Sequence, residues 1–225
     1  DVESRGLGDV YKRQNWCTVS PMSGEGDGTL TVSASGHNGR MGKTTTVTVT
    51  AANGTRPSKS FTVVQAGAGV VLTLDSSKPG LPKSGGKVTI NGTSNSATLK
   101  VDCPQAGLGL VAILKIGGKP DQTVIENSAV PKTVTIPGDP GASGIYSFTL
   151  ELQVAPSKKA TTVTFKINVT PSEESLKKQC TFTLEPGDSS LSINRSEVRL
   201  NKEGGAQASG SNIVNVTSND NWTVS

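Results

Sequence analysis

The 225-residue chain has a single histidine, His37, set in a Gly/Asn loop. Nucleophilic hydrolysis of the Ser-His-Asp or Cys-His kind needs a base within hydrogen-bond reach of its nucleophile. No such set can be assembled between residues 68 and 188, where histidine does not occur. Glycoside hydrolysis needs two carboxyls flanking one bond, and Glu151 and Asp139 fall on different predicted elements. The acidic, glycine-rich stretches 24–28 and 138–141 do not alternate oxygen ligands as a calcium loop does; they read as turns. The expectation is a chain that is not an enzyme, with no catalytic residue, no metal ligand and no cofactor.

Recognition chemistry is the remaining possibility. Sugar sites stack a ring face on an exposed aromatic side chain and ring it with a few polar groups. Trp16, Trp222 and Tyr146 are the candidates for carbohydrate contact. Both tryptophans occupy strand positions, which favours the core over a platform, and Tyr146 opens an alternating strand at the core or its rim. Aromatic content is only 4 %, which ranks a spacer above a binder.

Three cysteines are present. Cys103 and Cys180 fall in the same predicted domain and could pair in an oxidising compartment, leaving Cys17 over; three free buried thiols fit equally well. The net charge of +4 is scattered, with Lys158-Lys159 and Lys177-Lys178 beside turns. Nucleic acid would need a clustered basic face, so none is expected as a partner. The longest apolar run, 108–116, is interrupted by Lys115 and is too short to cross a bilayer. Any membrane contact is expected through an anchor outside this segment.

The elements that must position these residues repeat. Gly85-Gly86 followed by Ser94-Asn95 returns as Gly204-Gly205 followed by Ser218-Asn219, the glycines shifting by 119 residues from 85 to 204. A turn, an alternating strand, a second strand and a closing strand ending in Gly67 return as the set ending in Gly187, a shift of 120. A period this long means whole domains in tandem. The organisation expected is a complete domain at 68–188, the C-terminal half of another at 15–67 and the N-terminal half of a third at 189–225. Residues 1–14, with Asp9-Val10-Tyr11-Lys12-Arg13-Gln14, read as the non-native scar of a sequencing adaptor.

Alternation with period two predicts strands at 16–20, 29–35, 44–51, 61–64, 70–74, 86–90, 96–101, 108–116, 124–126, 133–136, 146–154, 161–169 and 180–184. Asn53-Gly54 marks a hairpin, and 171–178 could hold a helical turn. Val163, Phe165, Ile167 and Val169 should face the core, with Thr164 and Lys166 outside. The fold class is therefore all-β, with strands closing into two-sheet sandwiches. The two half domains could also pair with each other, which would bring Val47 or Phe61 against Val214 or Val216.

The half-signatures resemble the BACON family, the Bacteroidetes-associated carbohydrate-binding, often N-terminal domain. Residues 15–67 resemble its second half through Asn15-Trp16, Val19-Ser20-Pro21, Ser23-Gly24-Glu25-Gly26 and Phe61-Thr62-Val63-Val64-Gln65. Residues 191–225 resemble its first half through Gly204-Gly205, Val214-Asn215-Val216 and the run Ser218-Asn219-Asp220-Asn221-Trp222-Thr223-Val224-Ser225. The middle stretch matches more loosely, with Leu99 where the last copy has Trp222 and with extra material between Cys103 and Pro137. The resemblance implies tandem immunoglobulin-like sandwiches in a secreted or cell-surface bacterial protein. It implies a non-catalytic spacer, or a module binding glycan or mucin, or an accessory part of a glycoside hydrolase whose catalytic domain lies elsewhere. Further domains of the same chain would be its neighbours.

Overall fold

The computed structural model describes residues 15–52, 54–207 and 211–225. The adaptor-like residues 1–14 and Asn53 of the hairpin signal lie outside the described residues. Fifteen strands follow one another among these residues. The first four are β1 (Cys17–Ser20), β2 (Thr31–Ala34), β3 (Lys43–Thr50) and β4 (Ser58–Gln65). The central set is β5 (Leu72–Leu74), β6 (Gly86–Ser94), β7 (Thr98–Asp102), β8 (Leu110–Ile116), β9 (Gln122–Glu126), β10 (Lys132–Thr135), β11 (Tyr146–Val154), β12 (Val163–Thr170) and β13 (Lys178–Leu184). The last two are β14 (Leu191–Ile193) and β15 (Val216–Ser218).

The central strands form a five-stranded sheet in the order β5-β6-β11-β8-β9 and a four-stranded sheet in the order β10-β7-β12-β13. Every ladder between these strands is antiparallel. One apolar cluster, drawn from residues 72–184, lies between them. The architecture is an all-β sandwich, as alternation requires.

Side-chain period decides which face is buried. On β12, Val163, Phe165, Ile167 and Val169 are buried while Thr164 and Lys166 are exposed. On β11, Tyr146, Phe148, Leu150, Leu152 and Val154 point inward. Phe165 stacks on Phe182 of the paired strand, with centroids 5.1 Å apart. Asn168 breaks the β12 alternation by being buried, and it is satisfied by Asp102 at 2.7 Å and Gln179 at 2.8 Å. Leu108 departs from the sequence reading. It lies exposed in a 3-10 turn at Ala106–Leu108, and the strand starts at Leu110. A further 3-10 turn at Glu174–Leu176 occupies the segment expected to hold a helical turn.

The flanks are half-built by comparison. β1-β2, β3-β4 and β14-β15 are separate two-stranded sheets. Among the described residues no strand ladder joins the first group to the last, and Phe61 and Val214 both stay exposed. Self-closure of the two halves into one composite sandwich is thus not what these strands do. No helix of the described residues is long and apolar enough to cross a membrane.

Candidate functional site

Tyr146 begins β11, opposite Ser94 of β6. Its ring is only 7 % exposed, and its hydroxyl donates to the Ser96 carbonyl oxygen at 2.8 Å. Burial pushes the phenol up to about 12, outweighing the Ser94 side chain, which draws it down. A ring enclosed in this way offers no face to a sugar, so Tyr146 is a core residue and not a contact.

The tryptophans differ from one another. Trp16 precedes β1, is half-buried, and carries the Lys43 ammonium 5.7 Å from its ring centroid. Trp222 is 51 % exposed. Of the three aromatic candidates, Trp222 is the most exposed.

The thiols are all free and buried. Cys180 sits opposite Ile167 on one side of β12, and Asp102, the residue before Cys103, sits opposite Asn168 on the other. One strand therefore separates Cys103 from Cys180. Two strand spacings are about 9.6 Å, beyond the roughly 7 Å that a disulfide spans between Cα atoms. The pairing considered from sequence is absent because β12 stands between its partners. Burial raises both thiol pKa values.

Polar groups that could act in concert are instead engaged locally. His37 Nε2 lies 3.1 Å from the Ala66 carbonyl oxygen. Glu151 is held by Lys115 at 2.9 Å on the outer face of the five-stranded sheet, and Asp139 is paired with Arg40. Among the described residues no three His, Cys, Asp or Glu side chains gather as metal ligands.

Sequence reasoning missed a shallow groove where β5, β6 and β11 meet. Thr73, Asp75, Asn91, Thr93 and Thr149 are among its polar lining. These groups satisfy each other: Thr73 and Thr93 hydroxyls meet at 2.7 Å, Thr149 donates to Asn91 Oδ1 at 3.3 Å, and Asp75 accepts from the Asn91 N–H at 2.7 Å. Asp75 is also paired with Lys78 at 2.6 Å, and this hydrogen bond holds its carboxyl below the usual carboxylate value. The signal available in sequence was the Thr/Asn alternation on the outward positions of β6.

Residues 9–68 match the family model described as Viral BACON domain. That stretch is similar to a BACON-type domain. No curated protein matches the chain. Among solved structures the chain is similar to a family 123 glycoside hydrolase from Clostridium perfringens, at 10 % identity and TM-score 0.31. That match covers 53 % of this chain and 28 % of the hydrolase, so the chain spans under a third of that protein. It is similar to the N-terminal domain of PorA at 11 % identity and TM-score 0.29, covering 52 % of this chain and 96 % of that one. It is also similar to a PapD-like domain of human CEP192, at 9 % identity and TM-score 0.26, covering 53 % and 85 %. The matched stretch contains Trp16 and His37, whereas Tyr146 and Trp222 lie beyond it.

Proposed function

We propose that the chain is a non-catalytic spacer segment of a secreted or surface-anchored bacterial protein, built from tandem BACON-type sandwiches. The observation that carries this reading is where the complete sandwich places its aromatic side chains. Tyr146, Phe148, Phe165 and Phe182 are all buried. The outward positions of β6 and β11 carry Lys87, Thr89, Asn91, Ser147, Glu151 and Gln153. Such a surface is solvated and locally hydrogen-bonded, which suits a separator of neighbouring domains better than a recognition platform.

Glycan or mucin binding is the second reading, and the exposed ring of Trp222 is the observation in its favour. A glycan array probed with the intact chain separates the two. The spacer reading expects no reproducible signal. Sugar binding that disappears in Trp222→Ala and survives in Tyr146→Phe would replace it with the binding reading.

A further inference from the structure

We infer that the Ser-Asn pairs at 94–95 and 218–219 are matched splints that lock each unit of the array to the one before it. The two linkers in question are residues 66–71, between β4 and β5, and residues 185–190, between β13 and β14. They have the same length, and each is gripped by one asparagine.

Asn95 is fully buried, and its side chain bonds two separate stretches of backbone. Its Nδ2 donates to the Asn38 carbonyl oxygen at 3.1 Å, in the loop between β2 and β3, and to the Gly69 carbonyl oxygen at 2.9 Å, in the linker. Its Oδ1 accepts from the Val71 N–H at 2.9 Å. Ser94 Oγ donates to the Val71 carbonyl oxygen at 2.7 Å and accepts from the Ser96 N–H at 3.0 Å.

Asn219 repeats every one of these bonds. Its Nδ2 donates to the Lys158 carbonyl oxygen at 3.2 Å, in the loop between β11 and β12, and to the Asp188 carbonyl oxygen at 2.9 Å, in the second linker. Its Oδ1 accepts from the Ser190 N–H at 2.8 Å. Ser218 Oγ donates to the Ser190 carbonyl oxygen at 2.9 Å and accepts from the Asp220 N–H at 3.0 Å. Five hydrogen bonds with the same donors and acceptors thus recur on unlike partner residues, because all the partners are backbone groups.

The chemistry restricts the residue. A primary amide alone combines two N–H donors with an acceptor in one planar head. Aspartate would set a carboxylate against two carbonyl oxygens. Close approach reinforces the first junction. The Arg40 and Met41 N–H groups donate to the Gly141 and Ala142 carbonyl oxygens at 2.9 and 3.0 Å, and Arg40 Nε donates to the Asn95 carbonyl oxygen at 3.3 Å. Gly39 lies so near that a Cβ there would meet the Ala142 carbonyl oxygen at 2.6 Å.

This deepens the spacer reading and takes its purpose from it: an array with such splints holds successive units at a set angle. Its test is separate, because glycan binding would defeat the spacer reading and leave the junctions intact. Spin labels at Lys59→Cys and Lys87→Cys report the first junction by pulsed dipolar spectroscopy, and labels at Lys87→Cys and Ser192→Cys report the second. Each pair should give one narrow distance distribution. Asn95→Ala and Asn95→Asp should widen the first toward roughly 13 Å, the reach of a free six-residue linker, and spare the second. Asn219→Ala should do the reverse. Amide exchange in β12 verifies that the sandwich remains folded, and if Asn95→Ala loses that protection, Asn219→Ala decides alone. Distributions already that broad without substitution, or narrow ones in both alanine variants, would overturn the inference.

Discussion

The Tyr146 hydroxyl and the Ser96 carbonyl oxygen lie 2.8 Å apart, across the rim where β6 turns into β7. This bond makes the tyrosine a structural residue with a titration signature. The phenol's ordinary value is 10.0, and burial lifts it to about 12 in the folded chain. The neutral form is the one the fold favours. Its contribution is complete below pH 10 and is lost as pH rises from 10 toward 12. Tyr146→Phe should cost about 1 kcal/mol at neutral pH through the lost hydrogen bond. It should also lose less stability than the parent over that alkaline window. Denaturant titrations at stepped pH read both effects. Cys103 and Cys180 also have raised values, so some alkaline loss persists in the variant.

Phe165 and Phe182 stack across β12 and β13 at the centre of the sandwich. Phe165→Ala should destabilise the chain by about 3–5 kcal/mol through lost contacts and a residual cavity. Lys166→Ala, one residue on and exposed, should change stability by less than about 0.5 kcal/mol. The contrast, read from denaturation midpoints, checks the register of β12. Equal effects would mean that the strand is turned the other way.

The three thiols supply a redox prediction. All are buried, and β12 separates Cys103 from Cys180. Adding reductant should leave the denaturation midpoint unchanged. A thiol-reactive dye should label the native chain slowly and label three cysteines once it is unfolded. A midpoint that falls with reductant would reveal a disulfide.

Much of this was legible in the residues. The strand at 146–154 coincides with its predicted span, and Val163, Phe165, Ile167 and Val169 face inward as alternation required. Both readings depend on neighbours along the chain, which a strand's period exposes directly. What stayed open needed long-range pairing. Whether Cys103 meets Cys180 depends on the order β7-β12-β13, which no spacing reveals. Tyr146 was legible as a core or rim position from the alternation of its strand, whereas its hydrogen bond to a carbonyl fifty residues away was not. Ser94-Asn95 and Ser218-Asn219 were visible as repeat markers, yet their role appears only once the linker and the preceding loop are folded around them. Trp222 was legible as a candidate, and it stands exposed beyond the end of β15.

The substitution Gly39→Ala tests backbone proximity between the first segment and the sandwich. A methyl group there meets the Ala142 and Ser143 backbone, so the loop must move. Thermal stability of the sandwich should hold, while protection of the Arg40 and Met41 amides, which donate to Gly141 and Ala142, should drop in hydrogen exchange. Unchanged protection would show that the loop does not rest there.

Residue-resolved hydrogen exchange on the intact chain examines the closed central core most directly. The slowest amides should lie in β6, β8, β11 and β12, inside the two ladders that sandwich Phe165 and Leu150. Those of β3, β4, β14 and β15 should exchange far sooner, since their sheets have two strands and open faces. Fast exchange throughout β11 and β12, or protection in the flanking hairpins equal to theirs, would contradict a single sandwich core at residues 72–184.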